Sequence, residues 1–236
     1  MDAAVKHNGW PIGQWLGWTI KVLVGLFVLV HVYGLILALA PVPGTANMAG
    51  RVAQGTPVYH TWVPLEEISP HLVRAVIAAE DTRFCQHTGV DVDAIKDALD
   101  EREASGRLRG ASTLTQQTAK NVFFWNGGGY ARKAGEAWMA VFIDGIWGKK
   151  RVLEVYLNVA EWGDGLYGAE AAAYGRFGKP AKDLTPFEAA RLAAVLPSPN
   201  KWRARGAGPY VRQRTATLQA RMKTIARDGL DACIWE

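Results

Sequence analysis

Glu80 and Asp81 close an apolar run that begins at Ser69-Pro70, inside the stretch Glu80-Asp81-Thr82-Arg83-Phe84-Cys85-Gln86-His87-Thr88-Gly89. A carboxylate held against apolar surface has its charged form penalised, so its pKa rises and it can work as a general acid or base. The same stretch also fits an ordinary amphipathic helix with a solvated acidic end, and taken alone it leaves both readings open. A second polar block runs from Gly110 to Asn121 and gathers Ser112, Gln116, Gln117, Lys120 and Asn121. That concentration of amide and ammonium donors exceeds what a helix cap requires. A third block, Arg132-Lys133-Ala134-Gly135-Glu136, sets Arg132 one turn before Glu136. By itself this pair reads as a surface i,i+4 ion pair of small energetic weight.

These residues need rigid elements to hold them, and the local signals are helical. Ser69 suits an N-cap, Pro70 the first helical position, and Ile68 can staple onto Val73. Leu72, Val73, Val76 and Ile77 recur at helical spacing, and carrying that period onward puts Glu80, Phe84 and His87 on one face. Thr113 with Gln116 forms a capping box that opens the helix of the second block. Asp91 or Asp93 is expected to start a helix through Leu99, with the charged stretch 100–107 a mobile flap beside a cleft. Residues 126–129, Asn-Gly-Gly-Gly, read as a turn, since no Gly-Lys-Ser/Thr follows to make a phosphate loop. Thr185-Pro186-Phe187-Glu188 is another capping box, opening a helix that Pro197 should stop. Residues 209–227 form a basic amphipathic helix that could lie on a membrane or pack on the domain, packing being the favoured reading. Only 57–64 has weak strand character.

A chain of 236 residues has material for one or two domains. Residues 22–40 are an uncharged apolar run interrupted only by His31, long enough to cross a bilayer. Pro41 directly after Ala38-Leu39-Ala40 argues against cleavage there, so the run reads as an uncleaved anchor. Lys6 and Lys21 precede the span and only Arg51 follows closely, which places the larger portion outside the cytoplasm. Trp10, Trp15 and Trp18 suit an interfacial belt, and His31 reads as a neutral group in a lone helix rather than a functional one. Domains are therefore expected at 1–21 (cytoplasmic), 22–40 (anchor), 41–56 (a Pro/Gly-rich linker) and 57–236. The chain's two cysteines, Cys85 and Cys233, would then face an oxidising compartment where one bridge can form. With Cys85 expected inside a packed helix and Cys233 in a loose terminus, two unpaired thiols are the favoured reading. No Cys or His spacing suggests zinc. The net charge of +5 suits anionic lipid and phosphate partners. Nucleic acid is disfavoured, because no binding motif accompanies the charge.

Taken together the three blocks resemble the peptidoglycan glycosyltransferases of glycosyltransferase family 51, most closely the monofunctional biosynthetic transglycosylases of Gram-negative bacteria. Glu80, Asp81, Phe84, His87 and Gly89 match the family's first motif, residues 110–121 the second, and Arg132, Lys133 and Glu136 the third. Residues 150–158 look like the fourth, and Phe177-Gly178-Lys179 with 184–190 like the fifth. Two departures stand out: Ala111 replaces a usual second glycine, and Arg176 stands where an aromatic or His often precedes Phe-Gly-Lys. The resemblance implies an all-α, lysozyme-like, two-lobed helical domain after one N-terminal transmembrane helix, in the bacterial inner membrane with its domain in the periplasm.

It also implies chemistry. Lipid II, a disaccharide-pentapeptide on undecaprenyl pyrophosphate, would be polymerised by an inverting displacement at the MurNAc anomeric carbon, releasing undecaprenyl pyrophosphate. Glu80 would act as base on the GlcNAc 4-hydroxyl. Lys120, Arg132, Lys133 and, as weaker candidates, Lys150 or Arg151 would meet the leaving-group charge. Glu136 would either orient those cations or bind a divalent ion, Mg or Mn, on the pyrophosphate, with no cofactor firmly required. Ser112, Gln117 and Asn121 would position substrate or the Glu80 loop, while Asp81, Phe84 and His87 would buttress the motif. Glu154, Tyr156 and Asn158 would be packing and supporting groups. Implied partners are lipid II, the growing lipid-linked glycan, the membrane, and proteins of division or wall synthesis.

Ser198-Pro199-Asn200-Lys201 satisfies a Ser-x-x-Lys pattern, but the Ser-x-Asn and Lys-Thr-Gly partners of a transpeptidase are absent, so no transpeptidase activity is expected. Two alternatives remain at this stage. A lysozyme-like hydrolase or lytic transglycosylase could use the same glutamate, although a neutral glycosidic leaving group needs no cation cluster. A non-catalytic membrane scaffold for wall enzymes would have no need to retain Glu80, Gln117, Lys120 and Glu136 as a set.

Overall fold

Backbone groups in hydrocarbon must be satisfied within their own segment, and an apolar run of this length meets that demand as a helix. The computed structural model describes residues 12–106, 110–125 and 127–235. Its first element, α1 (Ile12–Leu37), is long and apolar enough to cross a membrane. It begins well ahead of the expected boundary at residue 22, so Trp15, Trp18 and Lys21 lie on the helix itself. At about 1.5 Å per residue it exceeds the ~30 Å that a bilayer's hydrocarbon requires. His31 Nδ1 bonds the Phe27 carbonyl at 2.7 Å, so the ring is satisfied within its own helix. Lys6, Trp10, Arg107 and Asn126 lie outside the described residues.

Residues 40–236 form a separate compact unit. The segment expected as a linker holds α2 (Ala46–Ala53) instead: Thr45 caps it, Met48 is buried, and Arg51 pairs with Glu161 at 2.7 Å. β1 (Tyr59–His60) then pairs in parallel with β2 (Leu166–Tyr167), a two-residue ribbon whose second strand carried no sequence signal. The rest is helical, as the local signals require. α3 (Pro70–Glu80) starts at the expected Ser69 cap, and Leu72, Val73, Val76 and Ile77 are fully buried.

One expectation fails at the end of α3. The helix does not continue through Phe84 and His87: Asp81 takes an extended backbone, and Phe84–Gln86 make a separate 3-10 turn. The cause is a distant partner, since Asp81 Oδ2 accepts the Leu114 N–H at 2.9 Å and cannot do so from a continued helix. α4 (Val92–Ser105) is capped by Asp91 and runs on through the charged residues expected as a flap. Glu and Arg are good helix formers, and the left-handed Gly106 supplies the stop. α5 (Leu114–Phe123) opens with the Thr113/Gln116 capping box.

α6 (Gly129–Val159) carries the third and fourth blocks and kinks at Gly148, whose φ of 69° breaks the helical path. α7 (Ala169–Phe177) ends on left-handed Gly178; α8 (Pro186–Ala193) has the Thr185/Glu188 capping box and stops ahead of Pro197. α9 (Pro209–Arg227) has the bounds read from sequence, and α10 (Ala232–Trp235) ends the described chain. α5 packs along α6, while α3 packs against α8 and α9. The fold is all-α apart from the short ribbon.

The cysteines are bridged. Cys85 and Cys233 form a disulfide across 148 residues, with Cα atoms 5.6 Å apart. The expectation of two free thiols fails because Cys85 lies on the half-buried 3-10 turn rather than inside a helix, and Cys233 lies on α10 rather than in a loose tail.

Candidate active site

The three polar blocks converge where α3 ends, α5 begins and α6 enters its first turns. Glu80, the last residue of α3, has a side chain only 14% exposed. Its Oε2 accepts from Gln117 Nε2 at 3.1 Å. Gln117 is fixed in turn by Tyr156, whose hydroxyl donates to Gln117 Oε1 at 3.3 Å. Tyr156 is buried, and that burial, with the charge of Glu80, holds its pKa well above the usual phenol value, so it stays a donor. This relay turns the NH₂ end of the Gln117 amide toward Glu80.

Burial pushes the Glu80 carboxyl up, with a further push from Asp81, against the pull of the Gln117 hydrogen bond, Arg214 and Lys120. The net direction is upward, toward a group that exchanges protons closer to neutrality. Arg214 Nη2, from α9, lies 3.8 Å from Glu80 Oε1. Arg214 was not singled out from the sequence. It flanks the buried stripe Val211, Thr215, Leu218 and Met222 of α9, a faint signal on a helix rich in basic residues.

Asp81 supports the glutamate from behind. It accepts from Leu114 N–H and from His87 Nε2 at 3.0 and 3.2 Å, so one carboxylate joins the end of α3, the loop after it and the start of α5. Phe84 is fully buried, edge-on to His87, with Lys149 Nζ 4.7 Å above its ring. Lys149 pairs with Asp144 at 2.7 Å, and Asp144 accepts from Thr115 of α5. Asp81, Phe84 and His87 thus sit together behind Glu80, on the turn after α3 rather than on a continued helix face.

Glu136 is not the weak surface partner its spacing suggested. It is 1% exposed, and its two oxygens meet Arg132 and Lys133, the latter at 3.0 Å. Lys133 also donates to Ser112 Oγ at 2.9 Å, which ties the second block to the third, and Arg132 Nε donates to the Gly127 carbonyl. Burial lowers the Lys120 pKa and the Arg132 charge lowers it further, while Glu80 opposes them. Burial, Lys120 and Arg132 lower that of Lys133. Lys120, Arg132 and Lys133 thus lie close enough to lower one another's proton affinity, Arg132 and Lys133 on buried Glu136 and Lys120 toward Glu80, an arrangement that favours an arriving anion. Asn121 sits half-buried one residue past Lys120 and makes no hydrogen bond to either glutamate among the described residues.

Two weaker candidates lie elsewhere. Lys150 pairs with exposed Glu66 at 2.9 Å, and Arg151 pairs with Glu154 and stacks 5.1 Å over Trp62. Asn158 is buried, donating to the Val63 carbonyl and accepting from its N–H. A cavity of about 260 Å³, lined by Glu80 and Asp81, opens between the end of α3, α4 and residues 110–113, with Arg83, Asp97, Ser112 and Arg221 on its wall. Both Glu136 oxygens are met by side-chain cations, Arg132 and Lys133.

A family model described as "Transglycosylase" matches residues 47–225. The chain is 53% identical over 214 residues to a protein of Rhodospirillum centenum named "Biosynthetic peptidoglycan transglycosylase", covering 90% of this chain and 93% of that one. Proteins of the same name from Caulobacter vibrioides and Pseudomonas aeruginosa are 48% and 47% identical. Each of these matches covers 82% of this chain, and 85% and 86% of the relative respectively.

Proposed function

The chain belongs to the transglycosylase family, and from that premise we propose that its cleft polymerises lipid II by inverting displacement, with Glu80 as the base. The protein is a peptidoglycan glycosyltransferase, an enzyme that builds glycan strands. The observation that carries the residue roles is the pairing of Glu80, its pKa raised by burial, with a nearby, mutually repelling cluster of Lys120, Arg132 and Lys133, the last two seated on buried Glu136.

Each group has a step. An ionised Glu80 takes the proton from the acceptor sugar's 4-hydroxyl as that oxygen attacks the donor's anomeric carbon. Gln117, held by Tyr156, keeps the carboxylate in place. As the anomeric C–O bond breaks, charge develops on the lipid pyrophosphate, and Lys120, Arg132 and Lys133 receive it. Glu136 holds Arg132 and Lys133 in register until the anion arrives, and Ser112 lines the approach. A cleaving enzyme would release a neutral sugar and gain nothing from three crowded cations, which supports polymerisation over hydrolysis.

The placement follows the same reading. α1 is compatible with a single-pass anchor, and the Cys85–Cys233 bridge suits an oxidising compartment such as the periplasm. We assign the enzyme domain there, on the outer side of the inner membrane, within reach of division or wall-synthesis proteins.

The test is turnover of labelled lipid II by detergent-solubilised protein beside Glu80→Gln, with polymer and lipid products separated. Wild type should yield muramidase-sensitive glycan and undecaprenyl pyrophosphate, and Glu80→Gln should lose roughly 10²- to 10⁴-fold in kcat with its fold intact. A folded wild type that leaves lipid II untouched refutes the proposal.

A further inference from the structure

The last turn of the described chain is tied twice to the segment that carries Glu80. Asp231, 4% exposed, accepts from Arg74 Nε of α3 at 2.8 Å, and Trp235 Nε1 donates to the same oxygen at 2.7 Å. Two residues past Asp231, Cys233 bridges to Cys85 on the 3-10 turn that follows Glu80 and Asp81. α10 itself packs against α6. The terminus therefore grips the catalytic segment on both sides of Glu80, at Arg74 within α3 and at Cys85 beyond its end.

From Cys85 a short path leads back to the carboxylate. Its neighbour Phe84 is fully buried, and His87 at the end of the turn bonds both oxygens of Asp81. Asp81 accepts the Leu114 N–H that opens α5, and Gln117, on the first turn of α5, bonds Glu80. A turn free to shift would disturb His87, then Asp81, then the start of α5 and the amide that orients the base. Displacements of about 1 Å at a reacting group can cost up to ~10²-fold in rate.

We propose that residues 231–235 are a positioning clasp for Glu80, closed by the Cys85–Cys233 disulfide, so that turnover depends on the bridge being oxidised. The turnover part rests on the lipid II reading above. Opening needs a dithiol reductant. One of its thiolates attacks a bridge sulfur to give a mixed disulfide and releases one protein thiolate. Its second thiolate then displaces the other, so the reductant leaves as a cyclic disulfide, its two protons pass to the protein, and Cys85 and Cys233 remain as thiols. Both cysteines are half-buried, which leaves a route for a small reductant.

The experiment uses the full detergent-solubilised chain, oxidised or treated with dithiothreitol, with thiols counted by mass. It reads kcat and KM on lipid II, the melting temperature, and amide exchange at 84–87 and Leu114. Reduction should lower kcat about ten- to hundredfold with KM little changed, keep the melting temperature above that of the assay, and speed exchange at 84–87 and Leu114. Reoxidation should restore turnover, and Cys233→Ser should behave as the reduced protein with or without reductant. Unchanged exchange on reduction overturns the clasp. Faster exchange with unchanged kcat overturns the positioning role, and faster exchange throughout the chain with loss of melting shows a bridge that only holds the fold, which overturns it too. If the oxidised chain leaves lipid II untouched, the polymerase reading fails, while the exchange comparison still decides the clasp.

Discussion

Glu80 meets two opposed demands. To take a proton it must be ionised in the working state, yet its burial penalises that form and moves its pKa upward, with Gln117, Arg214 and Lys120 limiting the rise. The base works deprotonated, so kcat should fall as pH drops through that raised pKa, with an acid limb above the ordinary glutamate value of 4.5. Arg214→Gln removes one of the cations that favour the charge. The limb should then move to higher pH, and a pH profile on lipid II with an unmoved limb would refute the contact's role. The same shift has a stability consequence. A folded pKa above the unfolded one contributes stability that is full below the unfolded value and is lost as pH rises through the folded value. Ionised Glu80 thus weighs against folding at neutral pH, and Glu80→Gln should melt at or above the wild-type temperature there even as turnover collapses. A lower melting temperature for Glu80→Gln at neutral pH would contradict that sign.

Gly89 shows how the catalytic turn is seated on α6. Its φ is +82°, and a Cβ added there would lie 2.7 Å from the Ala140 carbonyl oxygen, while its own carbonyl accepts from Thr113 Oγ1 at 2.6 Å. Gly89→Ala must strain the backbone or push α6 away. It should cost at least about 1–3 kcal/mol, seen as a drop of several degrees in melting temperature, and should loosen the Thr113 cap that starts α5. An unchanged melting temperature would mean that the turn can move off α6 freely. Sequence carried the element-level features whose causes are local: the Ser69 cap of α3, the two capping boxes and the bounds of α9. It lost those set by distant partners. α3 breaks after Glu80 because Asp81 binds Leu114, 33 positions later, and Arg214 reaches the site from another helix. An i,i+4 pair has the same spacing on a surface as in a core, so the burial of Glu136 was invisible until α5 was laid against α6. Cysteine pairing depends on a Cα separation that no spacing encodes.

Across the whole molecule, anchor, charge and disulfide constrain where the chain can work. An apolar α1 is long enough to cross a bilayer, and a net charge of +5 suits anionic headgroups and a diphosphate substrate. Neither says which side of the membrane residues 40–236 occupy. The cysteines can, because the sequence holds two and both lie in that unit. A reducing cytosol would keep them as thiols, whereas the periplasm would keep them bridged, with closure of a loop spanning 148 residues adding about 2–4 kcal/mol to stability. Intact spheroplasts treated with a membrane-impermeant reductant, then with an impermeant maleimide, should therefore label Cys85 and Cys233 without lysis. Omitting the reductant should abolish the label, since both sulfurs begin in the bridge. Labelling that needs lysis but no reductant would put the enzyme unit in the cytoplasm with free thiols. In that case the proposed topology falls, and lipid II on the outer face would lie beyond the reach of Glu80.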